Sequence, residues 1–183
     1  MPARKQITKD RILNAALKLL REQGYEAVNI GQLARELGCS TQPVYLSFSG
    51  MEELREQLIP LAAAEFEEQM KSGSGDGVVR LYDISYIRFA KREPHLFCFL
   101  FMRANAFSEI RRVLLPIIER SMQELMGRYH IGHDEADILH DQLWMHAHGI
   151  AAMVATAFCD WDMEKAGRML AECRRTFTEK YEV

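Results

Sequence analysis

Twenty residues, Asn29 to Phe48, read NIGQLARELGCSTQPVYLSF. Ile30, Leu33, Ala34 and Leu37 fall at helical spacing, Gly38 interrupts the pattern, and Val44 and Phe48 then stand four apart. Helices this short are not stable alone, so each must lean on the other and on a neighbour. The glycine admits the positive φ that a tight turn between them requires. The stretch therefore predicts two short packed helices joined by a turn, and it constrains the fold more than any other part of the chain.

Helical spacing continues on both sides, and no segment shows clean period-two alternation. Thr8 is placed to cap a first helix with the apolar face Ile12, Ala15, Ala16, Leu19 and Leu20, ending at Gly24. Asn29 opens the second helix with Gln32 three residues on, a capping-box spacing, while Val28 and Leu33 hold the staple positions. Ser40 is the expected cap of the third helix, with Pro43 in its first turn. A fourth runs from Ser-Gly-Met-Glu-Glu at 49–53 to about Met70, and Ser-Gly-Ser-Gly-Asp-Gly at 72–77 reads as a loop. Further helices are expected over Val78–Arg92, after Pro94, over Phe107–Tyr129 with a kink or restart at Pro116, over Asp134–Phe158 and over Asp162–Tyr181. The expected fold is all-α, with nine or ten helices.

The helix pair has the layout needed to read duplex DNA. A major groove about 12 Å wide accepts one helix, held outward by a partner. Ser40, Thr41, Gln42 and Ser47 offer small polar groups around the second helix, with Pro43 on the same surface, and Val44 and Phe48 would anchor it. Gln42 is the best candidate for a base contact, because its amide can pair bidentately with adenine. Tyr45 is a candidate for a phosphate contact, and Asn29, Lys9 and the Arg4-Lys5 pair for phosphate or minor-groove contacts, which position without reading sequence. An ordinary helix pair with a glycine turn fits the same spacing.

Charge is consistent with a polyanion at one end only. Residues 1–50 carry seven basic and four acidic side chains, while the whole chain has a net charge of −3. The four cysteines, 39, 98, 159 and 173, show no CxxC spacing, which suggests reduced thiols rather than a disulfide framework. The N-terminal MPARKQITKDR has no apolar core segment, and the longest apolar run is the seven residues Leu96–Met102, far below the ~20 needed to span a bilayer. A cytoplasmic, membrane-free protein is expected.

The string Ile12-Ala15-Ala16-Leu19-Gly24-Tyr25, then Val28-Asn29-Ile30, Leu33-Ala34, Leu37-Gly38-Cys39-Ser40, Val44-Tyr45, Phe48 and Glu52-Glu53-Leu54 resembles the DNA-binding head of the TetR family of bacterial transcriptional regulators. The resemblance covers about residues 8–54. It implies a dimer of all-helical subunits, a three-helix head on a palindromic operator, and a variable body with the dimer interface and usually a small-ligand pocket. Four positions depart from the family pattern. Asn29 stands for a usual Thr, Cys39 for Val at a spot expected to be buried, Ser47 for a larger side chain, and Met51 for a frequent Lys. The last removes one expected phosphate contact, which predicts weaker non-specific affinity and a shallower salt dependence.

The body, 78–158, is rich in aromatic and Met side chains, which either fill a core or line an adaptable apolar cavity. Tyr86, Phe89, Phe101, Met122, Trp144 and His148 are the candidates for lining a ligand site. Trp144-x-x-x-His148-Gly149 resembles a W…HG signature of one TetR subgroup, and His148 would serve either a ligand or a buried carbonyl. Asp137, His140 and Asp141 share a helical face, but no metal-site spacing accompanies them, and no metal or cofactor is expected. The stripes Leu139, Leu143, Ala147, Ile150, Ala151, Val154, Phe158 and Ala166, Leu170, Cys173, Phe177 suit either intramolecular packing or a four-helix bundle between two copies.

Together these features predict a DNA-binding domain over 1–50 and a regulatory and dimerisation domain over 51–183. The expected function is a ligand-responsive homodimeric regulator, more a repressor than an activator, on a pseudo-palindromic operator and with an unknown small-molecule effector. Its fourth helix would relay the effector's presence. No catalytic motif is present, so an enzyme is not expected. A helical small-molecule binding or adaptor protein with weak or lost DNA binding is the alternative.

Overall fold

A computed structural model describes residues 7–75, 78 and 80–181. Among them are nine α-helices and no strand: α1 (Lys9–Gln23), α2 (Ile30–Leu37), α3 (Gln42–Ser47), α4 (Met51–Gly73), α5 (Ile84–Arg92), α6 (Pro94–Phe101), α7 (Phe107–Tyr129), α8 (His133–Ala155) and α9 (Met163–Thr178). Short 3₁₀ turns follow α1 at Tyr25–Ala27 and α9 at Glu179–Tyr181. The chain forms two compact units, Met1–Ala64 and Glu65–Val183, with the division inside α4.

In the first unit the signals for helix ends act locally. Thr8 accepts from the Arg11 N–H, and Gly24 closes α1 at φ 86°. The Asn29 carboxamide accepts from the Gln32 N–H at 3.0 Å, but the reciprocal half of the box is absent, because the Asn29 N–H donates to the Ala27 carbonyl instead. At the other end of α2, Cys39 N–H donates to Ala34 and Gly38 N–H to Arg35, with Gly38 left-handed at φ 63°. This is a Schellman closure, and it turns the chain directly into α3. Ile12, Ala16, Leu20, Leu33, Val44 and Phe48 form the buried centre, joined by Leu54 and Leu58 from α4.

The cap of α3 differs from expectation. Thr41, not Ser40, is the capping residue, and neither makes a side-chain cap bond, because Thr41 already has right-handed helical φ and ψ. An N-cap side chain needs an extended backbone to swing back over the first turn, as Asn29 has and Thr41 does not. Cys39 is half-buried rather than buried.

In the second unit α5 packs on α8, α9 and α6, and α7 lies against α8. Phe66 from α4 is fully enclosed, its ring edge-on to Tyr86, Phe89 and Phe101 at 4.9–6.1 Å. Several boundaries shift from the sequence pattern. Helix α4 continues through Ser72 to Gly73, within the expected loop, whose residues 76 and 77 lie outside the described residues. Helix α5 starts at Ile84 rather than Val78, because the Asp83 carboxylate caps the Ile84 N–H at 2.6 Å. Helix α7 runs unbroken past Pro116, which faces solvent, where water can serve the carbonyl that the missing N–H leaves open. Helix α8 ends at Ala155: the Thr156 hydroxyl donates to the Ala152 carbonyl, and Ala157 turns left-handed at φ 54°. Phe158 therefore leaves the helix and is exposed.

The stripe Leu139, Leu143, Ala147, Ile150 and Ala151 is buried within the subunit. The exposed apolar face of α8 is a different one, with Ile138 56% and Met145 58% exposed, followed by Met153. On α9, Ala166 is buried, while Leu170, Cys173 and Phe177 are half-buried. The sequence pattern named only the first of these faces, and could not say whether its own subunit or a second copy covers it.

Candidate nucleic-acid interface and body cavity

Helix α3 presents its polar side outward because Val44 and Phe48, 2% and 4% exposed, fasten the opposite side into the head. Ser40, Thr41 and Gln42 are exposed, and no hydrogen bond from the described residues occupies their side chains. Tyr45 stands 64% exposed. Pro43 and Ser47 are half-buried, and the Ser47 hydroxyl donates to the Pro43 carbonyl at 2.8 Å. Ser47 thus keeps only its acceptor lone pairs for a partner. A concave surface of about 870 Å³ adjoins the helix, lined by Arg11, Gly38, Gln42, Pro43, Leu46 and Ser47 among others.

Two of the expected backbone contacts are already engaged. The Asn29 amide spends its oxygen on the α2 cap and one N–H on the Ala27 carbonyl, leaving one N–H for an outside acceptor. Lys9 pairs with Glu53 at 3.0 Å and lies over the Phe48 ring at 4.7 Å. Glu53 in turn accepts from the Ser49 N–H and hydroxyl at the start of α4. These three donors, the Ser49 N–H first, hold its carboxyl at about 2, well below the ordinary 4.5. The Arg4-Lys5 pair lies outside the described residues.

Sequence reasoning missed Leu46, which is 80% exposed on the same helix. The signal was present: Val44 and Phe48 face inward, so the position midway between them must face out. A large apolar side chain held in water at a groove-sized surface suits contact with the thymine methyl group.

The second unit contains a cavity of about 220 Å³ between α6, α7 and α8, with Leu81 also in its wall. Of the six residues expected to line such a site, Phe101, Trp144 and His148 do so. Tyr86, Phe89 and Met122 do not: all three are buried in the packing, with Phe89 against Phe66. Long apolar side chains at helical spacing point to core and cavity alike, and only packing sorts them. Tyr86 nonetheless supports the cavity from behind, because its hydroxyl stands 3.1 Å from His148 Nδ1. His148 is therefore bonded neither to a backbone carbonyl nor solely available to a ligand. Burial lifts the Tyr86 phenol far above its ordinary range, so it keeps its proton, and burial lowers His148 so that its ring is neutral. Trp144, whose Nε1 is buried without a hydrogen-bond partner among the described residues, opposes the Tyr86 rise.

Sequence reasoning set His140 aside as one of a weak acidic cluster, yet it lines the cavity beside Asp141. Arg111 spans both carboxylates of that cluster, 3.4 Å from Asp137 and 3.7 Å from Asp141. Among the described residues no three His, Cys, Asp or Glu side chains are grouped to hold a metal ion, and no helix is long and apolar enough to cross a membrane.

Residues 12–58 match the family model described as bacterial regulatory proteins, tetR family. No curated protein matches the chain.

Proposed function

We propose that this chain, whose residues 12–58 match the tetR family model, is a DNA-binding transcriptional regulator that acts in the cytoplasm as a homodimeric, ligand-responsive repressor. Residues 1–50 are the DNA-binding domain and 51–183 the regulatory and dimerisation domain. One observation supports the reading: α3 is anchored by Val44 and Phe48 while Thr41, Gln42 and Tyr45 stand in solvent without hydrogen bonds from the described residues. Polar groups held out this way give up no internal hydrogen bond on entering a groove and exchange water for base and phosphate partners there. Gln42 reads an adenine, Thr41 and Ser40 flank it, Pro43 and Ser47 line the approach, and Tyr45 holds a phosphate. Lys9 and Asn29 add backbone contacts at the rim.

A short helix reads few base pairs, so two copies are needed, on half-sites one helical turn or a multiple apart. The exposed Ile138 and Met145 on α8, with the half-buried side of α9, supply the apolar surface for a twofold partner. The cavity of the second unit receives the effector. An effector that binds the DNA-free form better weakens operator binding by a coupling of roughly 1–3 kcal/mol, or about 5- to 150-fold.

Gel-shift titration against genomic fragments tests the head. Gln42→Ala should lose about 1–3 kcal/mol and relax preference at one position per half-site, and Tyr45→Phe should weaken all sequences alike. Unchanged affinity and preference in both variants would overturn the assignment. The alternative, a body that binds ligand joined to a head with little DNA affinity, is favoured by one observation, the Lys9–Glu53 pair. Anisotropy on random duplex at two salt concentrations separates the two, since a DNA reader binds and then weakens as salt rises.

A further inference from the structure

Helix α3 turns Leu46 away from the core of the head. Val44, two residues earlier and so about 200° around the helix, is buried. Leu46 is 80% exposed, with nearly its whole side chain in water. Gln42, one turn earlier, faces the same way, and the two line one concave surface with Pro43 and Ser47. A single exposed leucine elsewhere on a surface needs no explanation. This one stands on the face that carries Gln42 into the groove, so whatever base edge Gln42 meets, Leu46 meets its neighbour.

The same stretch lacks a reader for guanine. No Lys or Arg stands between Arg35 and Arg55, and a bidentate contact from one of these to guanine O6 and N7 is the commonest specific contact in the major groove. Arg35 lies on α2 and bonds Gln32, and Arg55 pairs with Glu52. Arg11 borders the concave surface from α1 and is already engaged. Leucine neither donates nor accepts, so it tells bases apart only by what it covers. Thymine carries the one methyl group on the major-groove edges of unmodified DNA. Packed there, Leu46 removes two apolar surfaces from water at once. Over the cytosine amino group or guanine O6 and N7 it would displace water from polar atoms and offer them no partner.

We propose that Leu46 packs on a thymine methyl group in each half-site, beside the adenine that Gln42 reads, so that the operator consists of A·T pairs where α3 lies and owes no guanine contact to that helix. The inference rests on the reading of α3 as the helix that enters the groove, and it names the base chemistry that the helix selects. Uracil separates this contact from every other. It pairs with adenine as thymine does and presents the same O4 acceptor, but it has no methyl group for Leu46 to cover. 5-Methylcytosine is the converse probe, since it restores a methyl group on a G·C pair.

The test begins with duplexes enriched by the full chain from a random-sequence library. Each thymine of the enriched consensus is then exchanged for deoxyuridine and the duplex titrated by gel shift. One exchange in a half-site should weaken binding about fourfold, the size expected of one buried methyl group, and the matching exchange in both half-sites about 15-fold. Cytosine at that position should weaken binding further, and 5-methylcytosine should recover part of the loss. Leu46→Ala should bind the thymine and uracil duplexes alike, and the substitution leaves the head folded because the side chain is exposed. Wild-type affinity indifferent to every exchange overturns the proposal, and that comparison needs no variant. An equal loss in Leu46→Ala overturns it too, by giving the methyl group to another residue. Sequence-specific, salt-sensitive binding with no uracil effect removes the role of Leu46 and leaves α3 as the reading helix. Enrichment of no sequence at all overturns both.

Discussion

Replacing Gly38 by alanine isolates a single term of the head's stability. Gly38 sits at φ 63°, ψ 38°, in the left-handed region. A Cβ built there meets no atom within 4 Å, so crowding contributes nothing. What remains is backbone strain of roughly 1–2 kcal/mol for an L-residue in that region. Against it stands the smaller conformational freedom of an unfolded chain carrying Ala, worth about 0.4–1 kcal/mol in the opposite direction. The net is a loss of about 1 kcal/mol. That corresponds to a melting point lower by about 4–8 °C if the head melts as its own small unit, or about 2–4 °C if the chain melts as one. Gly38→Asn should recover most of the loss, because Asn tolerates the left-handed region. Thermal unfolding of the three proteins, followed by far-UV circular dichroism, reads the difference. Alanine as stable as glycine, or more so, would refute the reasoning, since it would mean that the turn can relax to right-handed φ without losing the closure of α2. Asparagine as poor as alanine would refute it differently, by pointing to side-chain crowding.

Glu53 makes the head sensitive to acid in a defined window. Its folded-state value, about 2, lies below the ordinary 4.5, so its contribution is complete above about 4.5 and is lost as pH falls toward 2. Glu53→Gln should flatten the stability–pH curve there, and an unchanged acid limb in urea titrations would count against the network. Phe66→Ala removes the ring that meets Tyr86, Phe89 and Phe101 and should cost about 3–5 kcal/mol in urea denaturation; a loss under about 1 kcal/mol would show that the cluster repacks freely. Met145→Glu places a charge on the exposed face of α8 and should yield a folded monomer by size-exclusion chromatography with light scattering. A persistent dimer would move the interface elsewhere.

Local chemistry decided a good deal of this protein before any packing was considered. Gly24 and Gly38 stop their helices because few other residues accept positive φ, and Thr8, Asn29 and Asp162 start theirs because a short side-chain oxygen reaches a free N–H two or three residues on. The spacing of Val44 and Phe48 turned Thr41, Gln42 and Tyr45 outward, and those constraints act within one or two helical turns. They are readable from neighbours in the chain.

Tertiary structure decided the matters that depend on residues distant in sequence. Lys9 lost its freedom to Glu53, 44 positions away, and no pattern near Lys9 announces that partner. Tyr86, Phe89 and Met122 went to the core while Phe101, Trp144 and His148 came to line a cavity, although all six are large residues at helical spacing. Likewise Leu143 and Met145 are both apolar on α8, but only the first is buried within its own subunit. An apolar side chain records that it prefers to leave water. It does not record which neighbour arrives to cover it, and that is settled only when the whole set of helices competes for the same buried surface.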